Sequence, residues 1–275
     1  MSSILTNTSS MVALATLQDV NRGLSETQSR VSTGLKIQSG KDNAAYFAIS
    51  KTMQGDSGMF KAVNEGLTVT KNSVATARLG AETVNDLAQQ MVERIAFAQG
   101  DSVDKAAVQG ELDGLANRMQ AAIDQATFNG SDLVSGAATT QTVVSGISRA
   151  AGSFSATTIS FDSIDLQSIQ TAMAAIDVTD TSTTMAAKLT TAETQLASAV
   201  DASTSIAVAE KTIEGQMEFV DALTDNLDVG VSAMVDADME QEAARLQAYQ
   251  VQQQLATQSL AIANQSPQNI LSLFR

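Results

Sequence analysis

The segment that decides the fold is "RVSTGLKIQSGKDNAAYFAIS", residues 30–50. Residue types that end helices fill its first half, among them Gly34 and Gly40. The segment nevertheless keeps Leu35, Ile37 and Phe47, and a disordered linker does not usually retain large apolar residues at this density. The segment therefore predicts an ordered connection between two helices, with its apolar side chains packed against another part of the molecule.

A long helical pattern follows this connection. From residue 60 onward, apolar residues recur at steps of three and four for five heptads, which predicts a helix of roughly 50 Å at about 1.5 Å per residue. The seam consists of Phe60, Val63, Leu67, Thr70, Val74, Ala77, Ala81, Val84, Ala88, Met91 and Ile95. Glu82, Asp86 and Glu93 fall outside the seam, as expected for a solvated face.

The second half of the chain mirrors the first. A shorter helical stripe from Leu112 to Ala126 ends at the turn dipeptide Asn129-Gly130. Residues 131–184 are rich in Ser and Thr, and the stretches 140–145 and 156–163 contain β-branched residues, which predicts a small β-hairpin. The three-four rhythm then returns from Leu189 to Met234, with Glu210 as the one charged residue on that seam.

These patterns predict a mostly α fold. We expect an antiparallel coiled-coil or helical-bundle rod, with paired terminal helices and a small β-hairpin region in mid-sequence. The expected divisions are a core helix at 1–32, a connecting segment at 33–50, rod helices at 51–130, a variable region at 131–184, a returning rod helix at 185–234, and a core helix with its tail at 235–275.

The two ends carry narrow apolar stripes diluted by Ala and Thr. At about 25 cal/mol per Å² of buried apolar surface, two such helices scarcely offset about 1.5 kcal/mol of ordering entropy per residue. We therefore expect the ends to fold when copies assemble, the alternative being that they dock along their own rod. The residues expected to pack between subunits are Ile4, Leu5, Leu14, Leu17, Val20, Leu24, Val31, Leu35, Ile37, Leu246, Tyr249, Leu255, Leu260, Ile262, Leu271 and Leu273.

Composition argues against catalysis and against nucleic-acid binding. The chain has no Cys, no His and no Trp, one Pro, and a net charge of -14. Without His or Cys it lacks the usual general base and the commonest metal ligands, so we expect no enzyme, no cofactor and no metal site. The acidic balance opposes binding to a phosphate backbone, which needs clustered Lys and Arg.

The N-terminal residues give no sign of a cleaved secretory signal. The first charged residue is Asp19, and the stretch before it lacks a basic segment and a continuous apolar core. No window is apolar over enough residues to span a bilayer, so membrane insertion is not expected. The triplet Asp221, Asp225 and Asp228 lies on one helix face, and a solvated acidic face explains it better than a cation site, because no calcium-loop spacing is present.

Three segments carry a resemblance to a known family. Residues 30–50 resemble the N-terminal signature of bacterial flagellin, and "TFNG" at 127–130 resembles the motif that closes the third helix of that family. Residues 235–275 are similar to its C-terminal segment, including the Asn-Gln-x-Pro-Gln pattern at 264–268. The 275-residue length leaves little room for the large outer domains of many relatives, so the resemblance implies a short form.

The resemblance implies a secreted, extracellular subunit that polymerises into the filament of the bacterial flagellum and serves motility. Its implied partners are other copies or paralogous flagellins, the type III flagellar export apparatus with its chaperone, and the cap and hook-junction proteins. In the family, paired terminal helices line a central channel and the rod surrounds them. Two alternatives remain open at this point: a hook-filament junction protein and, less favoured, an intracellular coiled-coil interaction module.

Overall fold

The computed structural model describes the backbone of residues 7–150 and 153–272; the side chains at 150, 153–154 and 266–272 lie outside that description. The described elements follow the chain in this order: α1 Thr8–Thr33, α2 Ala44–Phe97, α3 Lys105–Gln125, β1 Thr127–Phe128, β2 Ser131–Asp132, β3 Thr140–Ala150, β4 Ser153–Asp162, α4 Leu166–Ala174, α5 Met185–Val235 and α6 Met239–Ser272. The predicted mostly α fold with a small β-hairpin region is confirmed.

The chain divides into two compact units. One is built from the described parts of Met1–Asp56 and Asn226–Arg275 and contains α1 and α6, and the other comprises Ser57–Asp225. We call them the terminal unit and the rod unit.

The rod unit is organised around the predicted seams. On α2, eight of the seam residues are buried: Leu67, Val74, Ala77, Ala81, Val84, Ala88, Met91 and Ile95. On α5, Ala192, Ala199, Ile206 and Ile213 are buried with them, and α3 and α4 add Leu112, Met119, Leu166 and Met173 to the same core. At Gly80 an added Cβ would lie 2.5 Å from the Cβ of Ala126, so this glycine allows close approach of the backbones.

Polar pairs join α2 to α5 along one flank of this core. The Lys71 ammonium lies 2.9 Å from Glu214, and Arg78 donates from Nε to Glu210 at 2.6 Å. The hydrogen bond that Arg78 donates to the Glu210 carboxylate raises the pKa of Arg78. Glu210, the charged residue on the α5 seam, is therefore paired with Arg78 at the edge of the core. An ion pair of this kind lets a helical seam accommodate a carboxylate.

The mid-sequence hairpin pairs β3 with β4 in antiparallel register from Thr140↔Asp162 to Ala150↔Ser153, with an irregularity between Val144 and Gly146. It contacts the rod through Gln216, whose Nε2 donates to the Ser145 carbonyl at 2.8 Å. The nine-residue helix α4 was not predicted inside this Ser/Thr-rich region. It begins after Asp165, whose carboxylate accepts from the Ser168 amide at 2.8 Å and caps the helix.

Candidate functional site

The paired terminal helices α1 and α6 form the candidate site. They run antiparallel, because Asn7 donates to the Ala263 carbonyl at 2.7 Å, Gln253 donates to Asn21 at 2.7 Å, and Arg30 lies 3.5 Å from Glu242. The partner numbers fall on α6 as those on α1 rise. The pairing of the two ends of the chain, which the sequence predicted, is present.

One side of each helix packs against the other helix. On α1 this side includes Val20 and Thr27, which are buried, and on α6 it includes Ala256. Gly23 admits the ring of Tyr249, since an added Cβ would lie 2.6 Å from the Tyr249 Cζ. Seven of the residues predicted to pack between subunits occupy this intramolecular seam and are half-buried or buried: Leu17, Val20, Leu24, Val31, Leu246, Tyr249 and Leu260.

Three other predicted residues are exposed. Leu14 is 45% exposed, Leu255 is 60% exposed and Ile262 is 70% exposed. Sequence reasoning missed three neighbours of the same kind, which are also exposed: Met11, Val12 and Val251. We call the three of these residues that lie on α6, Val251, Leu255 and Ile262, the outward face. On α6 its members recur at steps of four and seven, which places them on one side of the helix.

Four predicted residues cannot be placed. Ile4, Leu5 and Leu273 lie outside the described residues, and the side chain of Leu271 lies outside the description as well. Their assignment as residues between subunits stays a prediction.

A buried carboxylate stands where α6 begins. The Glu242 side chain is 4% exposed, accepts from Arg245 at 3.0 Å and lies 3.5 Å from Arg30 of α1. Its second oxygen, Oε2, has no hydrogen-bond partner among the described residues. Two guanidinium groups on different helices thus converge on one buried acid, which ties α1 to α6 at this end. The apolar periodicity gave no signal for this polar contact.

The connection after α1 is held by main-chain hydrogen bonds. Gly34 ends α1 in the left-handed region at φ 73°, which glycine adopts without strain. Leu35 then forms an antiparallel bridge with Asp236, and the amides of Lys36 and Ile37 donate to the Val235 carbonyl at 2.7 and 3.2 Å. Ile37 is already buried within the single chain.

The second half of the connection is ordered by two short polar side chains. The Asp42 carboxylate accepts from the amides of Gln38 and Ser39 at 3.0 and 2.9 Å. Asn43 caps α2 by accepting from the amides of Ala45 and Tyr46 at 3.1 and 3.2 Å. Because of this cap, α2 begins at Ala44 and the irregular backbone is shorter than the predicted 33–50.

The order of this connection should depend on pH. The backbone hydrogen bonds from Ser39 and then Gln38 lower the pKa of Asp42. A lowered folded-state pKa stabilises the fold above the unfolded value of about 3.9, and this contribution is lost as the pH falls through the lowered pKa. We expect hydrogen-exchange protection of the Ser39 amide in the native chain to fall as the pH drops below about 4 and through the lowered pKa of Asp42.

The variant Asp42→Asn supplies the control for this prediction, because its amide oxygen still accepts a hydrogen bond but does not titrate in this range. Its Ser39 protection should be weaker at neutral pH and should show no step in the acid range. An identical acid-range step in the variant would contradict the role assigned to Asp42.

The described residues contain no group of three or more acidic, His or Cys side chains that would hold a metal ion. Within the same part of the chain, no helix combines the length and apolar character needed to cross a membrane. What the terminal unit does offer is an exposed apolar face on a pair of helices, which is a surface for protein contacts.

Comparison with known proteins places both halves of the chain in one family. Residues 4–139 match the bacterial flagellin N-terminal helical region, and residues 189–274 match the bacterial flagellin C-terminal helical region. The two matches contain α1 to α3 on one side and α6 with nearly all of α5 on the other.

Full-length relatives agree with these matches. The chain is 35% identical to a flagellin of Brucella melitensis over the whole of both chains. It is 34% identical to flagellin FljK of Caulobacter vibrioides, over all of this chain and 99% of that one, and 31% identical to flagellin C of Rhizobium meliloti over the whole of both chains. The chain belongs to the bacterial flagellin family, and it is a structural subunit that polymerises into the helical flagellar filament used for motility.

Proposed function

We propose that the outward face of α6 carries the packing between subunits in the filament. The observation that supports this is the exposure of Leu255 and Ile262 on α6, whose other side is already engaged with α1. A helix that bears apolar residues on two sides needs two apolar partners. One partner is α1 of the same chain, and the other is a neighbouring copy.

This assignment divides the predicted contact residues into two groups. The seam residues, such as Val20 and Tyr249, pair the two ends of one chain, and the outward residues join that pair to its neighbours. In a helical filament the outward face of one copy meets a different surface of the next copy, and the contacts continue without closing into a ring. Such open, head-to-tail contacts generate a helical filament.

The finer partners and the location follow from family membership as part of the same proposal. The subunit leaves the cell through the flagellar export apparatus with a chaperone, and it adds to an extracellular filament beneath a cap and beyond the hook-junction proteins. Copies of paralogous flagellins can share the filament. The subunit has no enzymatic activity.

The division of the chain belongs to the same proposal. Residues 1–32 and 235–275 form the filament core, and residues 33–50 form the connection. Residues 51–130 and 185–234 form the rod, and residues 131–184 form the variable region.

The test uses the absence of cysteine from the native chain. A single thiol introduced by Ile262→Cys should react freely with a maleimide in the monomer and at least about tenfold more slowly in the filament, because packing excludes the reagent. The control is Thr158→Cys, at an exposed position of the hairpin. Its thiol should react equally fast in both states. Equal reactivity of the thiol introduced by Ile262→Cys before and after polymerisation would contradict the proposal.

A further inference from the structure

The charge of this chain is distributed unevenly between its two units. The rod unit, residues 57–225, holds 21 acidic and 9 basic residues, whereas the rest of the chain holds 9 acidic and 7 basic residues. The rod unit therefore carries -12 of the net charge of -14. Copies that meet through their rods alone repel one another, and the repulsion is screened only beyond about 8 Å at physiological salt.

A groove in the terminal unit departs from this acidic character. It has a volume of about 440 Å³ and is lined by side chains that include Arg30, Lys36, Asp42 and Tyr46. Between residues 27 and 55 the chain carries four basic residues and only one acidic residue, Asp42. Six of the eight residues that line the groove belong to this basic stretch, and the other two are Ala233 and Met234 of α5.

The charges in the groove are not equally available to a partner. The Asp42 carboxylate is engaged by Ser39 and Gln38, and Arg30 lies beside Glu242. The Lys36 side chain is exposed, and its ammonium group forms no ion pair with any described residue. Tyr46, beside it, is 49% exposed. The groove therefore offers a free cation next to an aromatic ring, which suits a carboxylate carried on a protein surface.

The matching negative surface lies on α5. From residue 212 to its end at residue 235, this helix contains five acidic residues and no basic residue. In the rod unit Glu214 is paired with Lys71 and Lys211, but Glu218 and Asp225 are exposed and form no ion pair among the described residues. These two residues are seven apart, so they lie on one side of the helix two turns from each other.

Resting on the proposed function, we propose that the groove beside Lys36 receives the acidic α5 face of a second copy, with Lys36 opposite Glu218 and Asp225. The contact is heterologous, since it joins the terminal unit of one copy to the rod unit of another. It replaces repulsion between like-charged rods by a local attraction and sets which face of the incoming copy docks. Electrostatic matching of this kind acts mainly on association rate and specificity.

Charge reversal tests the contact in a seeded elongation assay at low salt. Lys36→Glu should slow elongation about tenfold, and Glu218→Lys combined with Asp225→Lys should slow it to a similar extent. Joining all three substitutions in one chain should restore the rate to within about threefold of the native chain, because the polarity of both surfaces is then reversed. The effect of Lys36→Glu should shrink as salt is added.

Two matched controls separate this contact from a general effect of net charge. Lys105→Glu makes the same charge change at an exposed lysine of α3, and Glu193→Lys with Asp201→Lys makes the same change as the acidic-face double at exposed positions of α5. Both should elongate like the native chain. Circular dichroism of the Lys36→Glu monomer should be unchanged, since that side chain is exposed.

The possible results separate this inference from the proposed function. If Lys36→Glu elongates at the native rate, the contact is overturned and filament formation is left intact. If the triple variant elongates as slowly as Lys36→Glu, the contact is overturned as well, and the groove takes a different partner. A native chain that fails to extend seeds would overturn the proposed function and this contact together. Slow elongation by Lys36→Glu and by Glu218→Lys with Asp225→Lys, together with a restored rate when all three substitutions are joined, establishes the contact.

Discussion

Replacing Leu255 and Ile262 together by glutamine abolishes filament growth at concentrations where the native chain polymerises, and it leaves the monomer folded. Both side chains lie on the outward face, 60% and 70% exposed. Glutamine has nearly the helix propensity of leucine, so α6 itself is preserved. The substitution therefore acts on the surface between copies and not on the fold of one copy.

The expected size of this effect follows from apolar burial. Full burial of one such side chain contributes about 1.5–3 kcal/mol, so two of them contribute about 3–6 kcal/mol per subunit added. Since each 1.4 kcal/mol is tenfold in an equilibrium constant, the critical concentration rises about 10²- to 10⁴-fold. Sedimentation of polymer across a concentration series measures this quantity.

A control for this prediction is Val144→Gln in the hairpin, where the native side chain is also exposed, at 45%. This variant should polymerise at the native critical concentration, because the hairpin lies apart from the outward face in sequence and unit. A double variant at 255 and 262 that polymerises at the native critical concentration would show that these residues do not lie between subunits.

Removing residues 1–20 together with residues 256–275 also prevents polymerisation and leaves a folded rod. The deletion takes away Ile262 and the bonds of Asn7 and Ser10 to α6, which lie 2.7 Å from their partners. None of the buried core of the rod unit is affected, because that core spans residues 67 to 213. The shortened chain should keep a cooperative thermal transition and strong helical dichroism.

The two deletions remove Ile262 from the outward face and Leu17, Val20 and Leu260 from the seam. No filaments should form even at about a hundred times the native critical concentration, which corresponds to a loss of about 3 kcal/mol or more per contact. Filaments that survive the deletion would mean that the removed residues are not needed for the contacts between subunits. Loss of the thermal transition would mean that the ends are needed to fold one chain.

The rod could be predicted because the seam residues of each long helix are buried on one side of that helix. Apolar residues at steps of three and four from Leu67 to Ile95 have a single partner surface, so the periodicity identified the buried side directly. The hairpin could be predicted for a different reason, because β-branched residues are concentrated in its two strands, Thr140–Ala150 and Ser153–Asp162. Helix α4 was not predicted, because its nine residues give too short an apolar pattern to be recognised in a Ser/Thr-rich region.

The terminal helices could be predicted only in part. Apolar residues lie on two sides of α6, and a list of apolar positions does not separate Tyr249, which meets Gly23, from Leu255, which faces away. Which side pairs within the chain depends on the partner helix, and that information lies more than 200 residues away in sequence. The buried acid Glu242 was missed for the same reason, since its guanidinium partner Arg30 lies on α1.

The sequence predicted that the connection after α1 is ordered, but it did not show which contacts order it. Its order rests on main-chain bonds to the Val235 carbonyl, on the hydrogen bonds that Asp42 accepts, and on the cap formed by Asn43. Asp and Asn at a helix start are a visible signal, and the sequence "KDNAAY" contained it. A strand bridge to a residue 201 positions away, Leu35 to Asp236, has no local signal at all.

The measurement that tests the central claim most directly is electron microscopy with helical reconstruction of filaments grown from the purified native chain. Filaments should form, and in them the α1–α6 pair should remain intact while Leu255 and Ile262 are buried against neighbouring copies. Soluble dimers without filaments would contradict the claim, and so would filaments in which Leu255 and Ile262 face solvent.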